Sequence, residues 1–143
     1  MRRYLVVAHR TLMGAELMEA MRERLDQGAC TFHLVVPQYH GGPGLTWTEG
    51  KVWAEAERHL EQARLWFTRE GLPVNGEVGD ASPVEAVAAV LRRDGADAYD
   101  EIIVSTLPLG ASRWLGMDAP SRIQRATEVP VHHIVSQPVD TPA

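Results

Sequence analysis

The sequence predicts one α/β domain, a three-layer sandwich in which a five-stranded parallel sheet carries helices on both faces. Three observations predict it. Four short apolar runs rich in branched residues and one alternating stretch are spread along 143 residues, and an amphipathic stretch separates each from the next. The strand–helix alternation never breaks, so successive strands are joined by right-handed crossovers, which make parallel pairs. The chain is 45% apolar, and a domain of this size buries roughly 70% of the surface that its unfolded form exposes. Residues 1–136 therefore read as a single domain and the Pro-rich residues 137–143 as a frayed tail.

Tyr4-Leu5-Val6-Val7-Ala8 is a near-continuous apolar run of the kind covered on both faces, and it stops at His9-Arg10-Thr11. A helix follows over residues 14–27. There Leu17, Ala20, Met21 and Leu25 recur at helical spacing between charged residues, with Gly28 placed to close it. The second strand covers residues 31–36 and breaks at Pro37. Residues 38–45 have a linker-like composition but are too few to separate domains. Thr46-Trp47-Thr48-Glu49 has the pattern of a capping box. The helix it opens runs to Glu70 with Val52, Ala56, Leu60, Ala63 and Phe67 on one stripe, and Gly71 ends it.

Residues 74–78 alternate apolar with polar, which predicts a strand near a sheet edge. Ser82-Pro83-Val84-Glu85 supplies a serine cap, a proline at the first helical position and a glutamate at the third. The helix it starts is expected to bury Val84, Val87, Ala88 and Leu91, with Gly95 at its close. Asp100-Glu101-Ile102-Ile103-Val104-Ser105-Thr106 is the stretch around which the chain is organised: a buried strand over residues 101–104 that ends in two hydroxyls. Asp118-Ala119-Pro120-Ser121 opens a last helix through Ile123 and Ala126, and residues 129–135 form the fifth strand.

These residues resemble a known family. The chain resembles the universal stress proteins over its whole length. The likeness is sharpest at Val78-Gly79-Asp80 leading into Ser82-Pro83-Val84-Glu85-Ala86-Val87, and at Glu101-Ile102-Ile103-Val104 followed later by Val129-Pro130-Val131. The resemblance implies sheet order 3-2-1-4-5, a role in the stress response, and a homodimer paired through the fifth-strand edge, here residues 131–135. It also implies ATP or another adenine nucleotide as the candidate ligand. ATP-binding members carry an acid just after strand one and a spaced glycine pattern after strand four. Here Ala8-His9-Arg10-Thr11 contains no acid, and Gly110 and Gly116 are the only glycines after strand four. A loop that cradles phosphate needs glycines for close backbone approach, so any such site is a degenerate one that grips with side chains.

In parallel sheets the ligand crevice lies beyond the carboxyl ends of the strands, where strand order reverses. The implied order makes strands one and four neighbours there, so Ala8, His9, Arg10 and Thr11 should face Ser105 and Thr106. Val36 at the end of strand two, Gly79 and Asp80 near a base, and Gly110, Ser112 and Arg113 in the loop complete the expected lining. Ser121 starts the last helix, where amides meet an anion. Arg10 or Arg113 offers a forked cation to a small anionic ligand.

The function expected is ligand binding without catalysis. One alternative is a structural or interaction dimer whose crevice is filled by Trp114 and Leu115. The other is a small hydrolase. His40-Gly41-Gly42-Pro43-Gly44 resembles an oxyanion-hole loop, but Gly110-Ala111-Ser112-Arg113-Trp114 lacks the last glycine of a nucleophile elbow. Adjacent His132 and His133 point to opposite faces of a strand and cannot share one ion, and no metal-ligand spacing occurs. The lone Cys30 reads as a reduced core residue. A net charge of −5 with interspersed signs argues against nucleic acid. The apolar run at residues 5–8 is too short for a signal peptide or a membrane span, so a cytoplasmic protein is expected.

Overall fold

A computed structural model of the chain describes residues 1–38, 49–107 and 119–136. In chain order the elements are β1 (Arg2–Val7), α1 (Ala15–Asp26), β2 (Cys30–Pro37), α2 (Glu49–Arg69) and β3 (Val74–Gly79), then α3 (Pro83–Asp94), β4 (Glu101–Thr106), α4 (Ala119–Ala126) and β5 (Val131–Val135). The strands form one parallel sheet in the order β3-β2-β1-β4-β5.

Alternation along β1 divides the core. Tyr4, Val6 and Ala8 join α1 and α2 on one face, where Phe32, Leu34, Ala56, Ala63 and Phe67 are buried. Leu5 and Val7 join α3 and α4 on the other, with Val35, Ala86, Ile102, Val104 and Ile123. Cys30 is buried at the start of β2, and burial pushes its thiol pKa up. The whole expected stripe of α2, from Val52 to Phe67, is buried. Among the described residues no helix is long and apolar enough to cross a membrane.

Two strand boundaries and one helix face differ from expectation for reasons the structure shows. β4 continues through Ser105 and Thr106, because Ser105 pairs with Ile134 and Thr106 with Val135; hydroxyl side chains give no apolar signal for those two rungs. β5 begins at Val131, after Pro130, which has no N–H to donate. α3 buries Ala86, Val87 and Val90, leaving Val84, Ala88 and Leu91 at the margin. The cause is Gly79: a Cβ there would lie 2.8 Å from Cβ of Ala86, so the bare glycine lets the Ala86 face seat on the sheet.

The β3 edge is fastened by a polar network. Arg93 donates two hydrogen bonds to Glu77, at 2.9 and 2.6 Å, and Glu77 also meets Nε2 of His33 at 2.5 Å. The Arg93 guanidinium, and then His33, hold the Glu77 carboxyl below its usual range. Tyr99 donates to Asp94 at 2.7 Å. On β5, Val131 N–H donates to the Gln124 side chain at 2.9 Å; among the described residues no ion pair dresses this edge, and His132, His133 and Val135 are exposed.

Gly76 lets α2 approach β3. A Cβ there would come within 2.8 Å of the Leu34 carbonyl oxygen and 2.6 Å of Cδ1 of Leu60. Because one obstacle is backbone, Gly76→Ala should destabilise the fold by about 1–3 kcal/mol, measured as a lower urea midpoint at unchanged m-value. Gly50→Ala, which meets nothing within 4 Å, should be neutral or stabilise by up to about 1 kcal/mol.

Candidate functional site

β1 and β4 are hydrogen-bonded neighbours, with Val7 opposite Val104. Residues 8–11 therefore leave the sheet beside Ser105 and Thr106, at the point where strand order reverses. A tight turn follows β1, in which Leu12 N–H donates to the His9 carbonyl and Gly14 N–H to that of Thr11. The turn folds Thr11 back over the sheet, where it is 1% exposed.

The hydroxyls brought together there bind one another. Thr11 Oγ1 and Ser105 Oγ share a hydrogen bond of 2.6 Å, and Ser105 Oγ meets Ser136 Oγ at 3.0 Å. On the opposite face of the sheet, Thr106 Oγ1 lies 2.6 Å from Nε2 of His133. Ser105, Thr106, Thr11 and Ser136 are all buried. A hydroxyl beside an imidazole is the pairing that activates a nucleophile, but Thr106 is only 2% exposed. Among the described residues no carboxylate hydrogen-bonds His133 to orient it, and no cluster of three or more His, Cys, Asp or Glu could hold a metal.

His9 is buried and packs its ring on His59 of α2, centroids 4.9 Å apart. Burial, then the His59 and Arg10 charges, lowers the His9 pKa to about 4. Burial lowers that of His59 as well, against the opposing pull of Glu55 3.8 Å away. At neutral pH the two rings are therefore an uncharged stack.

The remaining expected residues are spread along the same sheet end. Arg10 is exposed, Ala8 buried, and Val36 buried at the end of β2. Gly79 ends β3, and its carbonyl accepts from Gln38. Three strand spacings, about 14 Å, separate β3 from β4, so Gly79 and Asp80 do not join the hydroxyl group. Asp80 accepts the Ser82 amide, and Ser82 caps α3 by accepting the Glu85 amide. Ser121 is exposed in the first turn of α4. Gly110, Ser112, Arg113 and Trp114, the 40–44 loop, Trp47 and the tail lie outside the described residues.

Two participants were not legible as site residues. Ser136 had only its place after the fifth strand to mark it, and His59 lies in a helix with no local signal.

No family model and no curated protein matches the chain. Solved structures do. A universal stress protein family protein from Arabidopsis thaliana, described with AMP bound, superposes with TM-score 0.64 at 15% identity, covering 100% of this chain and 97% of its own. The fold is that of the universal stress proteins. A Burkholderia pseudomallei family member gives TM-score 0.59 at 17% identity over 92% of this chain and 94% of its own. The universal stress protein of Archaeoglobus fulgidus gives 0.60 at 14%, over 94% and 93%. The universal stress protein fold thus accounts for the strand order and for the adjacency of β1 and β4.

The His9 environment predicts a pH dependence. Above pH 6.5 the depressed pKa has no effect, because His9 is neutral whether folded or unfolded. As pH falls from 6.5 toward the folded value of about 4, the unfolded chain takes up a proton that the folded chain refuses. Stability is lost across that window, by up to about 3 kcal/mol. Urea midpoints at pH 7.5 and 4.5 should therefore differ less in His9→Asn than in the wild type; equal differences would remove His9 from the account.

Proposed function

We propose that the chain is a non-enzymatic ligand-binding domain of the universal stress type, taking an adenine nucleotide in the cleft beyond β1 and β4 and working as a homodimer. The observation that carries this reading is the convergence of residues 8–11 with Ser105 and Thr106 at the reversal point, in a fold whose Arabidopsis counterpart is described with AMP bound. Arg10, exposed at the mouth, supplies the cation that a phosphate needs. Titration calorimetry should give heat with AMP, ADP or ATP, and Arg10→Ala should weaken the binding about tenfold, the worth of one charge-assisted hydrogen bond. Silence at millimolar nucleotide, with no thermal shift, would overturn the nucleotide.

A second reading, an interaction dimer without a small ligand, draws on the same hydroxyls: Thr11, Ser105 and Ser136 are buried and bound to one another. Silent titrations with a persisting dimer would favour it. For both readings the β5 edge supports the dimer, since its exposed strand carries Val135 at 53% exposure and an open edge favours pairing. Sedimentation should show a dimer that Val135→Lys converts to monomer with its circular dichroism unchanged; a monomeric wild type would end the proposal.

A further inference from the structure

A groove of about 470 Å³ starts at Met13, in the turn after β1, and runs along α1 to Asp26 beside Trp66 of α2. Its floor is apolar, made by Met13, Met18 and Trp66. These side chains belong to or pack against the core beneath, so the floor is held in place. Its α1 wall carries the exposed acids Glu19, Glu23 and Asp26, with Arg22 among them.

Among the described residues these three acids make no ion pair, whereas Glu70, Glu77, Asp94 and Glu101 are all paired with arginines. The arginines of α1 are committed elsewhere. Arg22 reaches across the groove to Glu70 at 2.6 Å, and Arg24 turns under the helix to Glu101 at 2.7 Å. Like charges at helical spacing repel, and with Arg22 held by Glu70 the groove lining keeps a net negative charge, three acids against one arginine.

We propose that this groove docks a basic amphipathic helix of a protein partner. The floor combines two flexible thioethers with a Trp face, which adapts to an aliphatic anchor and attracts cations. The rim acids fall at i, i+4 and i+7, spanning about 10 Å along α1. That is the spacing of Lys or Arg on one face of a parallel or antiparallel helix, and helix-in-groove docking reads such periods. The acidic wall disfavours anionic lipid and nucleic acid, and it repels a second copy of itself. The groove is lined by residues other than Arg10, Thr11, Ser105 and Thr106, so its occupant does not depend on the nucleotide reading.

A 14-residue peptide of leucine and lysine, patterned as an amphipathic helix, is the probe. Its amide-shift footprint should fall on residues 13–26 and on the Trp66 indole. The double variant E19K/E23K should weaken binding at least tenfold. Ala15→Trp, at an exposed groove position, should weaken it similarly by filling the groove without altering charge. A lysine and serine peptide of equal charge should bind at least tenfold more weakly. A footprint elsewhere, dissociation constants within twofold for either variant, or equal binding of the serine peptide would each overturn the proposal. Circular dichroism of each variant separates lost binding from lost fold.

Discussion

The structure depends on β1 pairing in parallel with β2 on one side and β4 on the other. A strand bonded on both edges and covered on both faces must be apolar throughout, and residues 4–8 are all buried. Because the chain then builds outward first in one direction and later in the other, two connections leave the middle of the sheet on opposite sides. A gap between them follows from topology alone, and the side chains there decide what the gap can do.

This chain fills some of that gap with its own polar atoms. Three hydroxyls from β4, the β1 turn and the end of β5 close on one another, in a fold shared with a universal stress protein family protein described with AMP bound. Each bond satisfies a group that burial would otherwise penalise. The arrangement ties the end of β5, the outermost strand, to the centre of the sheet.

Much of the architecture was legible in the residues. Continuous branched runs marked β1 and the core of β4, the 52–67 stripe marked α2, and the Ser82-Pro83 start of α3 is a cap in fact. What escaped notice depended on contacts distant in sequence. The buried face of α3 is set by the missing side chain of Gly79, which no helical periodicity within α3 reports. His59 acquires meaning only by lying on His9, far earlier in the chain, and Ser136 only through Ser105. The adjacency of the β1 and β4 ends was legible from strand order, but the hydrogen bonds made there were not.

The two borders of the sheet are unlike. On β3, Glu77 is clamped by Arg93 and His33, and α2 presses close over Gly76; on β5, among the described residues, Gln124 meets the backbone at Val131 and no ion pair covers the strand. A sheet with two bare borders can stack end to end into a fibre, because every addition leaves a new template. With one border sealed by charge, any strand that zips onto the other closes the assembly, so the molecule carries its own chain terminator.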